Sequence, residues 1–268
     1  MVVAEINILL KEIMMSWGDT LMALGEARKI HEETGKMIIM EDQHGNILRH
    51  DAWKNNPYVS VFDVDGAIRL RNRGHRGYTS GATEEKWFFK PYRPIPAEFF
   101  FDAEELSWTK KATEYWVAEP TLKDRVVSVN KQWPFEHWDA LGELLKEHGI
   151  KVIQLAASEP SYRIPHSEML ITPTARYAAA VLKGSKGYVG HEGGMHHTAA
   201  AVGVPAVVIM GGFTIPDHTG YDLENHIYLH ANDPCGNRNH CDHCLKAMLN
   251  ITPKMVLNSI ITLNSRNE

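Results

Sequence analysis

The chain has 268 residues, of which 44% are hydrophobic, so it can bury a core in one large α/β domain or in two domains of roughly 120–140 residues. A formal charge of −5 gives no global argument for binding to nucleic acid or a membrane surface, and no apolar run approaches the ~20 residues of a membrane span. The start, MVVAEINILLKEIMM, carries acidic residues where a signal peptide would be basic. We therefore expect a soluble, cytoplasmic protein without a transmembrane segment.

The first elements alternate between strand and helix. A short apolar run, INILL (6–10), precedes LMALGEARKIHEETG, whose apolar residues fall at helical spacing and whose last residue, Gly35, is typical of a helix end. The segments KMIIM (36–40) and YVSVF (58–62) read as buried strands. This order predicts a βαβ unit and a parallel sheet.

The middle of the chain has no clean periodicity. Residues 63–96 hold the densest basic stretch, IRLRNRGHRGY, and we predict a helix at about 103–117. The segment AEPTLKD (118–124) is interpreted as a linker because Pro120 breaks regular structure.

The second half repeats the alternation. The predicted strands are VVSVN (126–130), IKVIQLA, GYVG, AVVIMGG and HIYLH (226–230), and the predicted helices are FEHWDALGELLKEHG, ARYAAAVLKGS, MHHTAAAVGV and the final helix 252–263. The pattern predicts two α/β domains, 1–118 and 124–268, with a ligand cleft where the strands end.

The stretch GHEGGMHH between a strand and a helix has three interpretations. A shared metal is disfavoured because the adjacent His196 and His197 would project about 100° apart on a helix. An anion site fits better, since Gly193 and Gly194 allow close approach to backbone amides whose helix dipole favours negative charge. A tight turn without a ligand stays open.

Three segments together resemble glycosyltransferase family 9, the group similar to the ADP-heptose:lipopolysaccharide heptosyltransferases. They are SWGDTLMAL (16–24), SVNKQWPFEHWDAL (128–141) and GHEGGMHHTAAAVGVPAVVIMGG, in the order of the family. The resemblance implies a GT-B fold, with two Rossmann-like domains whose parallel sheets face a cleft. It places the nucleotide-sugar donor in the C-terminal domain and the acceptor in the N-terminal one.

The resemblance also implies roles for residues. Asp19 would take the proton from an acceptor hydroxyl and give inversion, although an Asp there could instead cap its helix. Lys131 and the helix amides would stabilise the leaving diphosphate, so catalysis would need no metal cofactor. Glu192, where the family often has Asp, could bind sugar hydroxyls, and His197 could contact phosphate or pack. The full set of expected donor-binding residues is Asn130, Lys131, Glu192, Gly193, Gly194, Met195, His196, His197, Gly211, Gly212 and Thr214.

The partners follow from the same resemblance. The donor would be a nucleoside-diphosphate sugar, with an ADP-sugar favoured and the sugar a heptose or a hexose. The acceptor would be an anionic glycan such as a lipopolysaccharide core. The residues expected to bind it are Trp17, Arg69, Arg71, Arg73 and Arg76. The alternatives are that the arginines form a solvated loop or, as a less favoured interpretation, touch nucleic acid, as a DNA-modifying glycosyltransferase would require.

All three cysteines lie in CGNRNHCDHC, near the end of the chain. Cys235, Cys241 and Cys244 with His240 or His243 could supply the ligands of a structural zinc or iron site. Reduced cysteines that only pack, or a disulfide, are the alternatives.

Two other functions remain open at this point. An epimerase-like nucleotide-sugar enzyme would need a base acting at a different carbon and no acceptor. A non-catalytic nucleotide-sugar-binding protein would bind the donor without forming product.

Overall fold

A computed structural model describes residues 16–42, 44–71, 77–122 and 129–266. The predicted strand 6–10, Arg73, Arg76 and most of the predicted strand 126–130 lie outside the described residues. Helix α1 (Trp17–Thr34) has Ser16 as its N-cap residue, and the Ser16 side chain accepts a hydrogen bond from the Asp19 amide. It ends at Gly35, which takes a left-handed φ of 67° that glycine adopts without strain.

Helix α1 packs on a small parallel sheet. The sheet has the order β2 (Val59–Ser60), β1 (Ile38–Glu41), β3 (Ile68–Arg71), and both neighbours run parallel to β1. Leu21 and Leu24 of α1 are fully buried in the same apolar cluster as β1. The predicted parallel sheet is confirmed for the described strands.

A hairpin and a short helix follow. The strands β4 (Thr79–Ala82) and β5 (Trp87–Phe89) pair antiparallel. The helix predicted at 103–117 is wrong beyond its first turns. Only Ala103–Ser107 is α-helical (α2), a 3₁₀ turn covers Trp108–Lys111, and β6 (Trp116–Glu119) is a strand. Trp116–Ala118 are at most 1% exposed, so burial on both faces of a sheet overrides the helical pattern before them.

The rest of the chain is a larger α/β unit. Its strands are β7 (Val152–Ala156), β8 (Glu168–Ile171), β9 (Gly187–His191), β10 (Ala206–Gly211) and β11 (His226–His230). Its helices are α3 (Phe135–Glu147), α4 (Ala175–Lys183), α5 (Gly194–Val202), α6 (Pro216–Thr219), α7 (Asp242–Asn250) and α8 (Pro253–Arg266). The strand HIYLH and the final helix are confirmed, whereas β8 and α7 were not predicted.

All strands of the larger sheet are parallel, and the order in which the chain adds them reverses at the centre of the sheet. Its order is β11-β10-β9-β6-β7-β8, so the chain moves from β6 to one edge and then from β9 to the other. In such sheets ligands bind outside the carboxyl ends of the two strands at the reversal, here β6 and β9. The predicted α/β class with parallel sheets is confirmed.

A buried arginine of the larger unit binds residues from the first half of the chain. Arg176, in the first turn of α4, is 2% exposed and binds both carboxylate oxygens of Glu105 at 2.6 and 2.8 Å. It also donates to the carbonyls of Asp51 and Phe100, at 3.0 and 2.7 Å. The domain limits 1–118 and 124–268 stay a prediction, and β6 of the larger sheet lies ahead of the second limit. Within the described ranges, none of the helices combines the length and apolar character needed to cross a membrane.

Candidate functional site

The start of α5 is an open helix N-terminus at the carboxyl end of β9. Gly193 is its N-cap residue and supplies no side chain to cap it. Among the described residues other than Gly193 and its two chain neighbours, no heavy atom lies within 4 Å of the position that a Cβ on Gly193 would take. The first amides of a helix have no acceptor within the helix, so those of Gly194, Met195 and His196 are available to an anion.

An ion pair lies beside this helix start. The Lys131 ammonium, in the segment after β6, contacts a carboxylate oxygen of Glu192, which follows β9. His197 Nε2 lies 3.7 Å from the other oxygen of Glu192. Burial would raise the pKa of Glu192, but the Lys131 charge and the His197 contact outweigh it and hold that pKa well below its ordinary value. Glu192 therefore fixes a cation next to the open amides.

Helix α1 begins directly on this site. A Cβ at Gly18 would lie 2.6 Å from Cδ2 of His197 and 3.7 Å from Cα of Gly194. Trp17 Nε1 donates to Thr198 Oγ1 at 2.8 Å. The glycine of the Gly-Asp pair is thus required for close packing, and it brings Asp19 to the helix start.

The Asp19 carboxylate is held at both oxygens. Ser16 Oγ donates to Oδ2 at 2.7 Å, and the Tyr78 hydroxyl donates to Oδ1 at 3.2 Å. The helix cap itself is Ser16, because its Oγ accepts from the Asp19 amide at 3.2 Å. Asp19 is therefore not the N-cap residue, and its carboxylate contacts both the helix start, through Ser16, and Tyr78.

The side chains of two residues expected at the donor are buried elsewhere, so only their backbone amides face the start of α5. The Met195 side chain lies in an apolar core cluster. The His196 ring is fully buried among Tyr221, His226 and Tyr228. Burial, aided by the neighbouring His197 and His226, lowers the pKa of His196 well below its usual range. Burial also lowers the pKa of His226, to about 4.

The residues expected at the end of β10 mainly pack. Gly211 has a φ of 63°, and Cβ atoms at Gly211 and Gly212 would meet Met248 and His243 at 2.6 and 2.8 Å. Thr214 is buried and shares a 3.2 Å hydrogen bond with His218 Nδ1. Their predicted contact with the donor stays a prediction.

Asn130 braces the cysteine segment. It is 1% exposed, and its amide donates to the carbonyls of Asn237 and Asn239, both at 2.6 Å. The segment that carries the cysteines, 235–244, is therefore tied to the residue before Lys131.

Three cysteines and one histidine converge in this segment. One potential ligand atom from each of Cys235, Cys241, His243 and Cys244 lies within 4.8 Å of the others. His240 is not in this group, and its side chain is 61% exposed. The contact with Cys244 lowers the pKa of Cys235 to about 5, and the same contact raises the pKa of Cys244.

The histidine of this group is oriented for a ligand. Its ring contacts Cys235, its Nδ1 is buried, and its Nε2 lies 3.2 Å from a carboxylate oxygen of Asp233. A carboxylate behind a histidine is the usual outer contact of a metal ligand. The set fits zinc or iron, because thiolate sulfur and imidazole nitrogen suit both ions.

The residues expected at the acceptor have other partners in the structure. Arg69 pairs with Glu41 and Asp63, and Arg71 Nε lies 3.7 Å from Glu41. The centroid of the Trp17 ring lies 5.6 Å from that of His50 and 5.9 Å from that of Phe99. Arg73 and Arg76 lie outside the described residues, and acceptor binding by this set stays a prediction.

Sequence reasoning missed three residues at or near the site. Tyr78 is the last residue of the basic stretch, which has no periodicity, Asp233 lies in a loop, and Arg176 looks like a surface residue of an alanine-rich helix. A contact made in the folded protein reveals each of them, and no local pattern does. The one sequence signal for the ligand group is that His243 lies within the Cys-x-x-Cys segment formed by Cys241 and Cys244.

Solved structures of several glycosyltransferases are similar to this chain. A family 9 glycosyltransferase from Veillonella parvula DSM 2008 is 14% identical, with a TM-score of 0.51, over 90% of this chain and 77% of that one. E. coli ADP-heptose LPS heptosyltransferase II is 19% identical, with a TM-score of 0.48, over 66% and 56%. The iron-containing dodecameric glycosyltransferase TibC from enterotoxigenic E. coli H10407 is 17% identical, with a TM-score of 0.48, over 67% and 50%.

These likenesses concern the fold. The chain spans about half the length of these two E. coli glycosyltransferases. No curated protein matches it. The sequence model of glycosyltransferase family 9 (heptosyltransferase) matches residues 91–254, which is more than half of the chain and includes Lys131, the start of α5 and the cysteine segment. The chain belongs to glycosyltransferase family 9.

Proposed function

We propose that this protein transfers a sugar from a nucleoside diphosphate to an acceptor hydroxyl, with inversion at the anomeric carbon. The observation that carries the proposal is the meeting of three features at the carboxyl ends of β6 and β9. They are the open amides of α5, the Lys131 ammonium, and the first turn of α1, in which Asp19 follows the Gly18 that packs on His197.

The chemistry divides among these groups. The acceptor oxygen attacks the anomeric carbon, its proton passes to Asp19, and the bond from that carbon to the diphosphate breaks. The electron pair leaves with the diphosphate, whose added charge is stabilised by the amides of Gly194 and Met195 and by Lys131. No divalent ion is required in this scheme. Glu192 serves as the counter-ion that fixes Lys131.

The donor proposed is an ADP-sugar carrying a heptose or hexose, and the acceptor is an anionic glycan of the lipopolysaccharide type. Support comes from the family to which the chain belongs, whose members include heptosyltransferases. A cytoplasmic location stays a prediction.

The test is a transfer assay with ADP-heptose and heptose-free lipopolysaccharide without added divalent ions. We expect product from the wild-type protein and a loss of at least about a hundredfold in Asp19→Asn, with ADP affinity retained, because a positioned general base contributes about 10²–10⁴-fold. Undiminished transfer by Asp19→Asn would exclude it as the base. Donor binding without product from any acceptor would favour the non-catalytic alternative, and an altered sugar without an acceptor would favour the epimerase-like one.

We also propose a structural zinc or iron ion held by Cys235, Cys241, Cys244 and His243. The support is the convergence of four ligand atoms and the Asp233 contact behind His243. Metal analysis of the purified protein should give about one ion per chain, and Cys244→Ser should lose it. Metal-free protein that keeps its thermal stability would contradict this proposal.

A further inference from the structure

The hairpin β4–β5 crosses from the Asp19 side of the site to the cysteine segment. Tyr78, the residue before β4, is 7% exposed, and its hydroxyl reaches Oδ1 of Asp19. Its ring lies 6.4 Å from that of Trp87 and 6.3 Å from that of Phe89, both on β5. The phenol is therefore held by packing as well as by its hydrogen bond.

The far side of the hairpin is fastened to the larger α/β unit. The Trp87 amide donates to the Gly236 carbonyl at 2.9 Å, and the Arg238 amide donates to the Glu85 carbonyl at 2.7 Å. The rings of Trp87 and Phe89 each lie 5.6 Å from that of Phe213.

Phe213 links the hairpin to the donor side of the site. It follows β10, and the Lys131 ammonium lies 5.0 Å from the centre of its ring. The position of Tyr78 is therefore set by the same unit that carries the helix start and Lys131.

We propose that Tyr78 is a positioning residue for the Asp19 carboxylate. The inference rests on the proposed function, in which Asp19 accepts a proton. Ser16 on one oxygen and Tyr78 on the other fix the rotation of the carboxyl group. Because Tyr78 is anchored on the larger unit, it fixes the carboxylate relative to the donor and not only relative to α1.

The test variant is Tyr78→Phe, which keeps the ring between Trp87 and Phe89. We expect kcat for transfer from ADP-heptose to fall about tenfold, the size of one lost hydrogen bond to a charged group. We expect the dissociation constant of ADP, measured by calorimetry, to stay within about twofold, because the hydroxyl contacts Asp19 and not the start of α5.

Tyr58→Phe is the matched control. Its buried hydroxyl is at the other end of α1, where the ring stacks on His31 at 5.1 Å, so its kcat should equal that of the wild-type protein. Crystal structures give a readout independent of activity. The Asp19 carboxylate should have one orientation in the wild-type protein and more than one in Tyr78→Phe.

The outcomes are distinguishable. If Asp19→Asn abolishes transfer while Tyr78→Phe retains the full rate with one carboxylate orientation, the positioning role is wrong and the proposed function stands. If Tyr78→Phe weakens ADP binding as much as it lowers kcat, the residue has a general structural role and the inference is also wrong. If Asp19→Asn transfers at the full rate, the proposed function itself fails.

Discussion

Removal of the Lys131 charge would leave a buried carboxylate without its main partner. In the folded protein Glu192 is 5% exposed, and the Lys131 side chain is 17% exposed. Breaking a buried pair from one side costs about 3–5 kcal/mol of unfolding free energy. We expect Lys131→Met to lie near the lower limit, at about 3 kcal/mol at pH 7, because His197 stays 3.7 Å from the carboxylate.

The pH dependence of this loss has a definite sign. In the wild-type protein the pKa of Glu192 is depressed by Lys131, so the contribution of the pair is present above the unfolded pKa and is lost as pH falls through the folded value. In Lys131→Met, burial without the cation raises the pKa of Glu192, so the carboxyl can be neutralised in mild acid. The deficit should therefore shrink between pH 7 and pH 5.

Urea unfolding of a double-mutant cycle is the appropriate assay. Lys131→Met with Glu192→Gln should cost less than about 1.5 kcal/mol at pH 7, since no charge is then left buried. A single variant that loses less than about 1 kcal/mol, with simple additivity in the double variant, would show that the two residues are not coupled. Such a result would refute the role of Glu192 as the counter-ion of Lys131.

Three further predictions concern single residues and pH. Gly193→Ala should change the unfolding free energy by less than about 1 kcal/mol, since its extended φ suits any residue, but should weaken ADP binding in calorimetry at least fivefold because the methyl group enters the ligand's space. Similar affinity for both proteins would move the diphosphate away from this helix start. Arg176→Leu should lower the free energy of unfolding by urea by about 3–5 kcal/mol, and the exposed control Arg163→Leu by less than about 0.5 kcal/mol. Equal effects would contradict a stabilising role for the buried pair of Arg176 with Glu105. Burial lowers the pKa of His191 to about 3 and of His226 to about 4, so the unfolded chain binds more protons below pH 6.5, and stability should fall from there to pH 4 by about 1.4 kcal/mol per unit for each residue. His226→Phe should reduce that slope, and an unchanged slope would contradict the assignment.

The sequence predicts those parts of the molecule that depend on local pattern. The spacing of Leu21 and Leu24 and the glycine after Thr34 define α1, and the apolar runs define most strands of the larger sheet. The helix predicted at 103–117 is wrong at its end because the helical spacing continues into residues that the tertiary fold buries as a strand, Trp116–Ala118. Propensity is a weak signal where burial on both faces decides the structure.

Only those parts of the site that depend on local pattern are predicted from the sequence. Glycines at the start of α5 and a lysine after β6 are visible as motifs, but the pairing of Lys131 with Glu192 joins two segments that follow different strands. The contact of Tyr78 with Asp19 depends on a hairpin that has no periodic signal before the fold is known. The selection of His243 over His240 likewise depends on the start of α7, which points one ring at the sulfurs and leaves the other exposed.

The central claim is that the start of α5 binds the diphosphate of the donor. Amide NMR of the labelled protein, titrated with ADP in EDTA, tests it most directly. We expect the largest shifts at Gly193, Gly194 and Met195. Shifts confined to another place, such as the pocket of about 560 Å³ beside Arg49 and Phe62, or no shift with ADP, UDP, GDP or CDP, would contradict the account.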